Sequence, residues 1–110
     1  MDYDEYQQLA FRTVSHKDDV VAMEFHSLHG LSGEVGELHS LYQKGYQGHQ
    51  FDNAHAKKEL GDILWFAAEY CTAMGWKMSE VAELNIEKLR ARFPDGFSAE
   101  KSLNRAEGDI

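Results

Sequence analysis

Apolar residues recur three and four positions apart along nearly the whole chain, and a single proline, Pro94, interrupts them. That spacing is the period of a helix face, and no stretch alternates apolar with polar for more than a few residues, as a half-buried strand would. The chain therefore reads as all-α. Residues 2–13 open with Asp2 and Glu5 at capping-box spacing and run through Tyr6, Leu9, Ala10 and Thr13. SHKDD at 15–19 breaks the pattern and supplies an aspartate cap for a second helix, from Val20 to about Tyr42, striped by Leu28, Leu31, Val35, Leu38 and Tyr42. KGYQGHQFDN at 44–53 is a loop. A third helix, from about Ala54 to Met74, carries Leu60, Ile63, Ala67, Tyr70 and Met74 on one face and stops at Gly75. Ser79 is expected to cap a fourth, with Ala82, Ile86, Leu89 and Phe93 as its stripe and Pro94–Asp95–Gly96 as its end. The expectation is one domain over 1–110: an antiparallel bundle of four main helices completed by oligomerisation, with 97–110 an arm or short helix.

Two segments put acids where the helix faces should be apolar. EVGEL at 34–38 and ELGDI at 59–63 match position for position: acid, aliphatic, glycine, acid, aliphatic. On a helical wheel Glu34 and Glu37 lie about 60° apart, with Leu41, Leu38 and Leu31 within about 60° of Glu34. Glu59 and Asp62 stand in the same relation to Phe66, Ile63 and Met74, again within about 60°. Antiparallel packing through these stripes would bring four carboxylates to one place. Crowded carboxylates repel one another and lose hydration, at several kcal/mol per unpaired ion. A hard divalent cation removes both costs, and all-oxygen ligation selects Mg²⁺ or Mn²⁺ over zinc. The bland alternative is solvated acids paired with Lys44, Lys57 or Lys58; doubling the motif at the same edge of two stripes argues against it. Gly36 and Gly61, costly inside helices, are assigned to close helix packing.

Other constellations are weaker. No Glu-x-x-His pair of the kind that di-iron bundles use is present; DNAH at 52–55 is the nearest approach. His26 and His29 stand three apart but lack further soft ligands for zinc. No Gly-x-Ser-x-Gly elbow occurs. On the fourth helix Asn85, Lys88 and Arg92 line up beside the apolar stripe, a row that would suit phosphate oxygens next to a metal held by acids.

The net charge of −8 argues against a general nucleic-acid binder. The basic residues nevertheless gather late in the chain, at Lys88, Arg90, Arg92, Lys101 and Arg105. No apolar run approaches the roughly 20 residues of a membrane span. The acidic opening MDYDEYQQLA is unlike a signal peptide, and the lone Cys71 fits neither an intrachain disulfide nor a zinc site. The expected setting is reducing and cytoplasmic.

Glu-x-x-Glu, a spacer of 21 residues and Glu-x-x-Asp together resemble the signature of the MazG-like, all-α nucleoside triphosphate pyrophosphohydrolases. GLSGEVGEL, Gly48–His49, KELGDILWF, NIEKLRARFPDGF, the opening EYQQLAFRT and Asn104–Arg105 extend the likeness over nearly the whole chain. The resemblance implies that Glu34, Glu37, Glu59 and Asp62 bind Mg²⁺ (Mn²⁺ as a substitute) and carry catalysis, and that Asn85, Lys88 and Arg92 hold the nucleotide phosphates. It also implies conversion of NTP or dNTP to NMP or dNMP plus pyrophosphate, in a homodimer or homotetramer, as nucleotide-pool house-cleaning. Trp65, Phe51 and Tyr46 are candidates for a wall against the base, with Trp65 assigned first to the core. The competing readings are a non-catalytic nucleotide-binding or regulatory module on the same scaffold, and a structural bundle with fortuitous acids.

Overall fold

The computed structural model describes residues 1–110, and it is helical throughout: α1 Tyr3–Phe11, α2 Val20–Tyr46, α3 Asn53–Met74, α4 Met78–Arg92 and a short α5 Ala99–Leu103. Side-chain oxygens of Asp2, Asp19 and Asp52 accept the third backbone N–H beyond each, at 2.8, 3.0 and 3.1 Å, starting α1, α2 and α3. Gly75 ends α3 in the left-handed conformation (φ +74°). No helix is long and apolar enough to cross a membrane.

Two boundaries differ from the sequence reading. α2 continues past Lys44 and Gly45 to Tyr46, so the loop expected over 44–53 shrinks. Of the two glycines there, only Gly48 takes a left-handed φ (+94°), and it is Gly48 that breaks the helix. Ser79 does not cap α4, which starts earlier, at Met78 after Lys77. Ser79 instead donates both its N–H and its hydroxyl to Asp4 on α1, at 3.2 and 2.8 Å. Gln7 accepts the Met78 N–H and donates to the Trp76 carbonyl, both at 2.8 Å. α1 thus supplies acceptors for the Met78 and Ser79 N–H groups, while Glu80 within α4 accepts that of Lys77 at 3.0 Å.

α2 and α3 form an antiparallel hairpin whose contacts run from Tyr42 on Phe51 at the loop to His26 on Glu69 at the far end. α1 lies along α3, and α4 packs chiefly on α1. The four main helices expected from the sequence are all present, with α2 and α3 antiparallel, but they do not close around one core within a single chain. Only ten residues are buried, and seven of them form two small clusters: Ala10, Ala68, Cys71 and Met78, and Val14, Met23 and Ala73. Trp65 is partly buried, packs against both clusters and donates its indole N–H to the Thr13 hydroxyl at 2.9 Å.

The buried face of α3 is not the stripe read from the sequence. Ala68, Cys71 and Ala73 face the interior, whereas Leu60 is 58% exposed; Val35 and Tyr42 on α2 and Ile86 on α4 are exposed too. The radius of gyration is 17.2 Å, against about 13 Å for a compact chain of this length. The accessible surface is 8305 Å², against about 6200 Å² expected for the mass. The apolar stripes exist, but one chain leaves much of them uncovered.

Glycine packing also falls elsewhere than expected. Gly36 and Gly61 have open space around them, so close packing does not explain them within this chain. Gly30 carries that role: a Cβ there would overlap the Phe66 ring, which lies against the α2 backbone.

Candidate metal centre

Halfway along the hairpin, Glu34 on α2 meets Glu59 and Asp62 on α3, with carboxylate oxygens that all lie within 4.8 Å of one another. The register that brings them together is set on both sides. Below them Phe66 rests on Gly30 and turns its edge to His26 and Trp65. Beyond that, His26 Nδ1–H donates to both oxygens of the buried Glu69, at 2.8 and 2.9 Å. The donor role is assigned from the acceptor-only chemistry of a carboxylate.

Electrostatically the site is short of positive charge. The Glu34 carboxyl is held above the usual glutamate range, first by a hydrogen bond with Glu59, then by partial burial, then by the charges of Asp62, Glu59 and Glu37. None of Lys44, Lys57 and Lys58 forms an ion pair with these acids, so lysine pairing does not account for the cluster. Carboxylates from two helices, all oxygen and with one oxygen of each within 4.8 Å of the others, match the donor set of a hard divalent cation.

The fourth acid stands apart. Glu37 is exposed one turn along α2, outside the triplet, although Glu34 feels its charge. Asn85, Lys88 and Arg92 are not brought to the acids either: Lys88 and Arg92 line a cavity between α4 and residues 101–110 that contains none of the four. Phe51 packs on Tyr42, and Tyr46 is fully in solvent, so neither forms a wall beside the carboxylates.

Three contacts around the site escaped the sequence reading. His55 Nε2 lies 2.9 Å from Glu59 Oε1 and fixes one oxygen of that side chain; its place four residues before Glu59 on α3 was the available signal. His26 pairs with Glu69 rather than with His29, whose Nδ1 binds the Phe25 carbonyl. Tyr6 on α1 lies near enough to Asp62 that burial, and secondarily that charge, pushes its phenol up. Nothing in the sequence joins α1 to the acids.

The raised Glu34 carboxyl has a consequence for stability. A glutamate held above its unfolded value contributes stability that is fully present below the unfolded value and is lost as pH rises through the folded one. In EDTA the melting temperature is therefore expected to fall as pH rises upward from the usual glutamate range, and Glu34→Gln should flatten that fall. Melting curves across this range check it; an equal slope in the variant would show that Glu34 is not the titrating group.

The MazG nucleotide pyrophosphohydrolase domain is the family model that matches, over residues 25–97. The match takes in all four acids together with Asn85, Lys88 and Arg92. No curated protein and no solved structure gives a significant match.

Proposed function

The chain belongs to the MazG nucleotide pyrophosphohydrolase domain family, and from that premise we propose that it is a Mg²⁺-dependent enzyme that cleaves NTP or dNTP between the α- and β-phosphates. The products are NMP or dNMP and pyrophosphate, and the role is the removal of unwanted nucleotides from a cytoplasmic pool. The observation that carries this reading is the meeting of Glu34, Glu59 and Asp62 from two helices. These three, with Glu37 one turn away, would hold the ion (Mn²⁺ as a substitute). When bound, it supplies positive charge for the triphosphate oxygens and lowers the pKa of a water molecule.

The residues divide the remaining work. In hydrolysis a water oxygen joins phosphorus, the bridge between the α- and β-phosphates breaks, and pyrophosphate leaves with the bonding electrons. The water's proton goes to a carboxylate of the cluster. His55 keeps Glu59 oriented, and Phe66 on Gly30 keeps α2 and α3 at the spacing the carboxylates need. Asn85, Lys88 and Arg92 take the phosphates through charge-assisted hydrogen bonds. Product analysis by chromatography is expected to show monophosphate and pyrophosphate in equal amounts. Inorganic phosphate with NDP as the first product would overturn the cleavage site, and no turnover at all would leave a nucleotide-binding module.

A second copy completes this reading. The uncovered stripes and the excess of accessible surface favour a homodimer or homotetramer, and the phosphate row lies away from the acids of its own chain. Light scattering at micromolar concentration is expected to give a dimer or a dimer of dimers. A monomer would contradict it.

A further inference from the structure

Arg92 already holds an anion. Asp109 lays its carboxylate on the guanidinium edge, Oδ2 accepting from Nε and Oδ1 from Nη2, each at 2.8 Å. The two side chains are only 10% and 14% exposed. The chain reaches this position by a turn after α5: Gly108 takes a left-handed φ of +86°, and the Asp109 N–H donates to the Ala106 carbonyl at 3.1 Å. The cavity there, about 590 Å³, is lined by Lys88, Lys101 and Arg105 besides Arg92, and by two acids, Glu107 and Asp109. Of the four cations only Arg92 is ion-paired. The Asp109 carboxyl is held below its usual range by Arg92 first, through hydrogen bonds and charge, with Arg105 and Lys88 adding their charges.

One paired carboxylate, with Glu107 the only other acidic side chain lining the cavity, is an imperfect match for four cations. The guanidinium fork that fits its two oxygens fits two phosphate oxygens as well. A polyphosphate also brings the extra negative charge that Lys88, Lys101 and Arg105 lack. We propose that this cavity binds the pyrophosphoryl end of the substrate, that Lys101 and Arg105 are binding residues together with Lys88 and Arg92, and that Asp109 is the resident carboxylate the substrate displaces. Which anion enters rests on the hydrolase reading above; the competition does not. Both ligands need the same Nε/Nη2 edge, so the apparent Kd equals the intrinsic Kd divided by the fraction of molecules in which Asp109 is away. The 104–110 segment thereby acts as a brake on its own substrate.

The test uses inorganic pyrophosphate on the full chain, in EDTA and at fixed ionic strength, by calorimetry, with the arginine Nε–H resonances followed by NMR. The Arg92 signal is assigned by its loss in Arg92→Lys. Wild type is expected to bind pyrophosphate and to move the Arg92 signal as it saturates. Asp109→Asn should bind several-fold more tightly, and Lys101→Ala/Arg105→Ala about tenfold more weakly, as the loss of charge-assisted contacts requires. Unchanged or weaker binding in Asp109→Asn would make Asp109 a structural staple and overturn the proposal. Pyrophosphate that fails to bind wild type, or binds without moving the Arg92 signal, would overturn it too, and neither outcome depends on Asp109→Asn folding. Because neither metal nor nucleotide is present, failure here leaves the hydrolase reading standing if product analysis supports it. Conversely, tighter binding by Asp109→Asn without turnover of any nucleotide would keep the site and remove the enzyme.

Discussion

Replacing Glu59 with glutamine is expected to lower kcat/KM for nucleotide hydrolysis by about a thousandfold, which corresponds to about 4 kcal/mol of transition-state stabilisation. Glutamine keeps the shape of the side chain and its contact with His55, but removes one of three converging negative charges. The same exchange should act in opposite directions on stability. In EDTA it relieves repulsion within the cluster, so the variant should melt at or above wild type. In millimolar Mg²⁺ wild type gains more, since an ion at a hundredfold excess over Kd and bound only to the folded state adds about 2.7 kcal/mol. Asp62→Asn and Glu34→Gln should behave alike, because each removes a member of the triplet. Glu37→Gln separates two arrangements: an equally large loss would bring Glu37 into the ion's coordination, and a small one would leave it an outer charge. A Glu59→Gln enzyme within tenfold of wild type, or one that loses stability in EDTA while gaining as much from Mg²⁺, would make Glu59 a structural acid.

The acids were legible because they break a strong local rule. A helical period states where apolar residues belong, and Glu34 and Glu59 occupy such places, so the sequence alone marks them as requiring a charge partner. The same period predicted the stripes through Leu60, Val35 and Ile86 but misplaced what they cover, because periodicity does not say which molecule lies against a face. Gly30 illustrates the opposite limit. Four glycines in α2 read alike, yet only the one beneath the Phe66 ring is sterically required, and that depends on a partner 36 positions away in the chain. The pairs Arg92–Asp109, Ser79–Asp4 and His26–Glu69 are likewise products of tertiary approach and leave no spacing to read.

Of these long-range pairs, His26–Glu69 should matter most for the fold. The Glu69 side chain is 1% exposed and both its oxygens bind His26 Nδ1, whereas His26 itself is 46% exposed. The cost of losing the pair is therefore asymmetric. His26→Leu strands a buried carboxylate with no other partner and is expected to cost about 3–5 kcal/mol, a drop of more than about 10 °C in melting temperature for a domain of this size. Glu69→Gln leaves an amide oxygen to accept from the histidine and should cost far less. His26→Leu/Glu69→Leu replaces the pair with apolar groups and should recover most of the loss, as buried ion pairs commonly allow. The effect should also reach the metal centre. His26 lies two helical turns from Glu34, and Glu69 about two from Asp62, so the pair holds the hairpin in the register that lets three carboxylates meet. In the single variant, Mg²⁺ affinity should fall along with stability; in the double variant stability should return, and affinity with it only if packing alone can keep the register. A single variant that melts within about 2 °C of wild type would show that water reaches Glu69 once the imidazole is gone, and the register would then rest on Phe66 against Gly30.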